Sequence, residues 1–213
     1  MKLYQSIGPN PRVATMFIAE KGLEIERQFL DIRVGENRQP DYLALNPHGG
    51  TPLLVLDDGT KISESVAICE YLDETHAASP LLGFTPEERA ATRQTTRIVD
   101  QNIVVPLTNG FRSAEGLPMF KDRLFCCPEA ADGNKAYAQD GLKQADAMLA
   151  GREYLVGDRF TLADILLFCF VEFGSTVGQS APAELANLHA WRARVAARPS
   201  AALSGNPQNG VAN

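Results

Sequence analysis

The chain has 213 residues, 45% hydrophobic and 22% charged, with a net charge of −6. This is the profile of a soluble globular protein with one large core or two smaller ones, and its acidity excludes a long basic face for nucleic acid. No apolar run is long enough to span a bilayer and no basic-then-apolar leader opens the sequence, so the reading is a cytoplasmic protein without a membrane partner.

From the N-terminus, "KLYQSI" reads as a strand and "RVATMFIAEKG" as a helix ended by Gly22, with "EIERQFLDI" a second strand. "PDYLALNPHGG" is a short helix stopped at Asn46-Pro47. Leu53 to Leu56 form a buried strand, Asp58-Gly59 predicts a type I′ turn, and Lys61-Ile62 begin the return strand. "SVAICEYLDETH" closes the first half as a helix. The order βαβαββα implies a small mixed sheet flanked by helices, a thioredoxin-like plan over residues 1–76.

Residues 77–84 are rich in small residues, proline and glycine and read as a linker. Thr85 is the expected N-cap of the next helix, with Pro86 at its first position and Glu88 completing a capping box. The rest, residues 85–204, reads as an all-helical bundle. One helix is expected from Pro128 to Leu149, with Tyr137, Leu142, Ala145 and Leu149 on its apolar face despite Gly133 and Gly141. In "RFTLADILLFCFVEF" Thr161 and Asp164 predict a second capping box ahead of a central, nearly all-apolar helix. "LHAWRARVAARPS" is a further helix ended by Pro199, and residues 205–213 are expected to be a flexible tail.

The cysteines, Cys69, Cys126, Cys127 and Cys169, show no CxxC, and His48, His76 and His189 show no metal spacing. Free thiols and no metal are expected.

The hairpin region carries more than a fold. Thr51-Pro52 is either an ordinary trans turn or a cis bond that lets Thr51 present its N–H and C=O to an extended, peptide-like ligand. Ser65 begins a helix, where it serves as a cap or helps hold a carboxylate at the positive end of the dipole.

"LNPHGGTPLLVLDDGTKISESVAICEYLDE" resembles the tripeptide site of cytosolic glutathione transferases, whose pattern is approximately N-P-x-G-x-[VT]-P-x-L, a hairpin, then E-S-x-A-I-x-x-Y-L. The resemblance extends to "GENRQPDYLALNP", to "GDRFTLADILLF" and to the helical second half, and "GLPMFKDR…PEAADGNKAYAQ" is similar to bacterial members. It implies that Thr51, before a cis Pro52, pairs with the cysteinyl backbone of glutathione and that Glu64 and Ser65 bind its γ-glutamyl end. It places Asn37 and Arg38 at the glycine carboxylate, with Gly50 standing where a glutamine is common. Asp100 would reach the γ-glutamyl amine across a homodimer interface, or is simply a solvated helix carboxylate.

The thiol-activating position departs from the family pattern. Counting back from Arg12, a tyrosine-type alignment lands on Ser6 and a serine-type on Gly8, whereas an ungapped cysteine-type alignment lands on Asn10. Asn10 is favoured, its amide N–H donating to the thiolate, a role compatible with capping the first helix. The resemblance implies a detoxifying transferase that joins glutathione, as co-substrate and without a further cofactor, to a hydrophobic electrophile. Ile7, Phe111, Arg112, Met119 and Phe120 are the candidate pocket wall. The alternatives are glutathione-dependent peroxide or disulfide reduction at the same site, and a non-catalytic protein that binds glutathione or a hydrophobe.

Overall fold

The computed structural model describes residues 1–210. They form two compact units, one of residues 1–81 together with the chain from Ala196 onward, the other Leu82–Val195.

The first unit begins with β1 (Lys2–Gln5), α1 (Pro9–Glu20) and β2 (Glu26–Phe29). A 3-10 turn (Glu36–Arg38) leads to α2 (Pro40–Leu45), then β3 (Leu53–Val55), β4 (Lys61–Ser63) and α3 (Ser65–Thr75). The sheet order is β2-β1-β3-β4, with β1 parallel to β2 and antiparallel to β3, and β3 antiparallel to β4. This is the predicted βαβαββα plan. Strand alternation divides the core: Leu3 and its partner Leu54 are fully buried, while Tyr4 and Leu53 pair on the opposite face, where Tyr42 of α2 packs at 5.8 Å between ring centroids.

The hairpin turn differs from the sequence reading. Only Gly59 has a positive φ, +85°, where a type I′ turn requires two such residues. Gly59 N–H instead bonds Leu56 O, and Asp58 stays in ordinary backbone, its carboxylate accepting Thr60 N–H at 2.8 Å. That is a type I turn followed by a left-handed glycine.

In the second unit α4 (Pro86–Val99) runs through a π-helical stretch (Asp100–Val104) into α5 (Val105–Ser113). Val105 N–H reaches back five residues to Asp100 O, just before Pro106, which has no N–H to donate. Then follow α6 (Leu117–Phe120), a 3-10 turn (Pro128–Ala130), α7 (Ala131–Met148), α8 (Leu162–Thr176) and α9 (Ala186–Ala196). Thr85 Oγ1 accepts Glu88 N–H as predicted, though the Glu88 carboxylate returns to Phe84 N–H. On α7 the buried face is Ala138, Gly141, Leu142 and Ala145, and Tyr137 is 57% exposed instead of sharing it. A helix turns 100° per residue, so Tyr137 lies outside the stripe that starts at Ala138.

Residues Leu162 to Val171 of α8 are buried without a break. The Asp164 carboxylate accepts Thr161 N–H, Thr161 Oγ1–H, Leu155 N–H and Trp191 Nε1–H, all within 2.9–3.1 Å. The residue expected to complete a capping box is thus also the anchor of a loop and of the buried Trp191. Burial pushes its pKa up, against the opposing pull of these hydrogen bonds.

The C-terminal stretch corrects two expectations. Pro199 opens α10 (Pro199–Gly205), which packs on α1 and belongs with the first unit, so the helical unit ends at Val195 and not at residue 204. Residues 206–210 are not a free tail: Gln5 Nε2 donates to Pro207 O at 2.6 Å and Arg27 Nη1 to Asn209 O at 3.0 Å. Residues 211–213 of the expected tail lie outside the described residues. No helix among the described residues is long and apolar enough to cross a membrane.

Candidate functional site

In the first unit, the Thr51-Pro52 bond is cis. The loop before it is held from several sides. Gly50 O accepts Tyr42 OH at 2.5 Å and Asn46 Nδ2 at 2.9 Å. Gly49 O accepts Asn37 Nδ2 at 2.6 Å, and His48 O accepts Arg38 Nη1 at 3.2 Å. Gly49 itself sits at φ +62°, and a Cβ there would lie 2.9 Å from both Arg38 Nη1 and Asn37 O, so both backbone shape and space require glycine. Burial raises the Tyr42 pKa to about 12, keeping the phenol protonated as the donor this loop needs.

Thr51 Oγ1 lies 2.6 Å from Ser6 Oγ, which also reaches Ile7 O at 3.0 Å. The cis loop is thereby tied to the β1–α1 loop. Ser6 is buried and its hydroxyl is committed to these two bonds.

Glu64, at φ +71°, precedes α3 and leaves its carboxylate exposed. Neither α3 nor α1 has a side-chain cap at its N-terminus, so first-turn N–H groups point outward at the positive ends of two dipoles. In α1 the N-cap is Gly8, not Asn10; among the first three helical residues only Asn10 has an amide hydrogen, since Pro9 and Pro11 have none. Ser65 Oγ donates to Asn10 Oδ1 at 3.3 Å. That bond joins the two helix starts and leaves Nδ2 as the uncommitted end of the Asn10 amide.

Hydrogen bonds therefore tie Ser6 to Thr51, Asn10 to Ser65, and Asn37 and Arg38 to the loop that runs through Gly50 to Pro52, with Glu64 next to Ser65. Arg38 Nε and Asn37 Oδ1 are buried without a partner among the described residues, so the cluster retains unused polar capacity. Ile7 is half-buried in the same β1–α1 loop. Tyr42 and Asn46 were not singled out from the sequence. A local signal exists for Asn46, an asparagine before proline at the stop of a short helix, whereas the sequence around Tyr42 marks it only as an apolar position.

The remaining candidates belong to the helical unit. Asp100 bonds Arg97 Nη1 at 2.6 Å and starts the π-helical stretch. Phe111 meets Phe120 and Phe173 edge-on, with centroids 6.0 and 5.1 Å apart, and the Arg112 guanidinium lies 5.4 Å from the Phe120 ring. Met119 and Phe120 are half-buried on α6. Among the described residues no group of three or more His, Cys, Asp or Glu side chains could hold a metal ion.

Comparison with known proteins identifies the family and the fold. A family model described as the glutathione S-transferase N-terminal domain matches residues 7–75, and one described as the C-terminal domain matches residues 129–199. Glutathione S-transferase 2 of Saccharomyces cerevisiae is 32% identical over 195 residues, 91% of this chain and 84% of that protein. A solved structure of a glutathione S-transferase domain-containing protein from Marinobacter aquaeolei VT8 is 36% identical with a TM-score of 0.88, covering 94% of this chain and 99% of that one. The structure of Gtt2 from Saccharomyces cerevisiae is 32% identical with a TM-score of 0.87, covering 96% of this chain and all of the other.

Proposed function

The chain belongs to the glutathione S-transferase family, and on that premise we propose that it conjugates glutathione to a hydrophobic electrophile, with Asn10 as the group that favours the thiolate. The observation that carries this reading is the Ser65–Asn10 bond between two uncapped helix starts. Asn10 offers the sulfur two donors, its backbone N–H and its Nδ2–H, at the positive end of α1. Ser6, with its hydroxyl already shared, is the weaker donor.

The tripeptide runs in extended form along the cis loop, its cysteinyl backbone paired with Thr51. The γ-glutamyl carboxylate takes the α3 start at Ser65, its amine takes the Glu64 carboxylate, and the glycine carboxylate takes Arg38. Asn37 holds Gly49, and so supports Arg38's side of the loop. The thiol proton leaves to solvent, and the thiolate attacks an electrophilic carbon and expels its leaving group. Held orientation and a lowered thiol pKa supply the rate, and no cofactor is required. The candidate surface for the electrophile in the helical unit is the apolar cluster of Phe111, Met119 and Phe120 beside Arg112. We propose a homodimer in which Asp100 serves the partner copy's γ-glutamyl amine.

The test is conjugation of glutathione to an aryl halide alongside ultraviolet titration of the bound thiol. Turnover with a thiol pKa below that of free glutathione supports the reading. Binding without turnover of any electrophile would contradict it.

A further inference from the structure

We propose, on the reading that the loop from Ser6 to Asn10 holds the glutathione sulfur, that the C-terminal segment Arg198 to Asn209 braces this loop, with Gln5 and Arg12 as the positioning residues through which it acts. The loop lies between these two residues, and each donates a side-chain hydrogen bond to a carbonyl of the same distant segment. Gln5 Nε2 donates to Pro207 O at 2.6 Å, and Arg12 Nη2 to Ala201 O at 3.4 Å.

The segment itself is fixed elsewhere. At the far end of α1, the Glu20 carboxylate receives the Arg198 guanidinium and the Ser200 hydroxyl, the latter at 2.6 Å. α10 then packs along α1 with Ser200, Ala201 and Ser204 buried, and Arg27 of β2 takes Asn209 O. A strap pinned at Glu20 and at Arg27 thus spans the helix and grips both ends of the loop.

Gln5 is the sharper of the two contacts. It is 1% exposed and stands immediately before Ser6, and its Oε1 is buried with no partner among the described residues. A carbonyl can accept only from a donor, so the amide must turn its nitrogen to Pro207. Remove the segment and the buried Gln5 amide loses Pro207 O, which favours local rearrangement directly beside the loop. Because both acceptors are main-chain carbonyls, the brace depends on the path of the segment more than on its side chains.

The experiment compares wild type, Gln5→Met, a chain ended at Gly205, and the two changes combined. The shortened chain keeps α10, Glu20's partners and the Arg12 contact but loses Pro207. Two readouts are taken: the thiol pKa of bound glutathione, and amide hydrogen exchange over residues 6–12 without glutathione. Each single change should raise the bound thiol pKa by about half a unit or more, a threefold shift in the thiolate equilibrium. The shortened chain also loses the Arg27–Asn209 bond, so the combination should do no more than the shortened chain alone, because the Gln5–Pro207 contact is already broken there. Exchange over residues 6–12 should quicken in all three variants. Wild-type thiol pKa and exchange in the shortened chain, or effects that add, would overturn the brace. A wild-type protein that fails to lower the thiol pKa contradicts the proposed function instead, and the exchange measurement then decides the brace by itself. If the shortened chain does not fold, Gln5→Met decides: faster exchange confined to residues 6–12 supports the brace, and unchanged exchange overturns it.

Discussion

The Lys21 ammonium lies 2.7 Å from the Asp73 carboxylate, with the two side chains only 1% and 3% exposed, so α1 and α3 are joined by a buried ion pair. The same groups hold the chain leaving α3. Asp73 accepts Leu81 N–H at 2.9 Å, and Lys21 also donates to Ala78 O and Ser79 O. Removing one partner leaves the other charged and buried, so Asp73→Asn or Lys21→Met should each cost about 3–5 kcal/mol. Replacing both by apolar residues should recover a large part of that loss. Chemical denaturation of the three variants checks it; two mild single effects that simply add would contradict the coupling.

Tyr42 supports the cis loop from α2. Tyr42→Phe leaves Gly50 O with Asn46 alone and should raise KM for glutathione more than it lowers kcat, with a stability loss of about 1 kcal/mol. In the parent protein this phenol should titrate near 12, and spectrophotometric titration of wild type against Tyr42→Phe isolates it. A difference spectrum with a midpoint near 10 would show the phenol to be solvated.

Glu20 sets part of the acid limb of stability. Burial alone would raise its pKa, but the bonds from Arg198 and Ser200 outweigh it and hold the carboxyl below its usual range. The folded value is therefore depressed, so the stabilisation is complete above the unfolded value of about 4.3 and is lost as pH falls through the lower folded value. Glu20→Gln should flatten the decline in thermal midpoint below about pH 4.3 and lower the midpoint at neutral pH. An acid limb identical to wild type contradicts this assignment.

Two glycines of α7 make opposite predictions. A Cβ at Gly141 would lie 2.2 Å from Asn102 O and 2.8 Å from Ile103 Cγ1, so the helix approaches the π-helical stretch as only glycine allows. At Gly133 a Cβ meets nothing within 4 Å. Gly141→Ala should destabilise by about 1–3 kcal/mol despite better helix propensity. Gly133→Ala should stabilise by about 0.5–1 kcal/mol. Equal shifts in thermal midpoint for the two would contradict the packing argument.

What was legible in the sequence shares one physical trait: the signal is local. Alternation and helical periodicity yielded the βαβαββα order, Thr85 and Thr161 announced their helices, and Thr51-Pro52 with Glu64-Ser65 marked the candidate site. Where neighbours far along the chain decide the outcome, the sequence was silent or misleading. "SGNPQNG" lacks periodicity and reads as tail, yet its order comes from Gln5, 202 residues away from Pro207. Gly141 looked like a weak point in a helix, whereas it is where another backbone comes closest. Asn10 read as an N-cap because Asn-Pro commonly starts a helix, but Pro9 already begins α1 and Gly8 is the cap. The Asp58-Gly59 pair suggested a two-residue turn, and the backbone chose a left-handed glycine alone.

The proposed role of Asn10, steadied by Ser65, is to stabilise the glutathione thiolate. The most direct test is the ultraviolet titration of bound glutathione in wild type, Asn10→Ala and Ser6→Ala. The thiolate transition should move up by about one unit in Asn10→Ala, close to the loss of one charge-assisted hydrogen bond, and by less in Ser6→Ala. A transition unmoved by Asn10→Ala, in a protein that still binds glutathione, would contradict it.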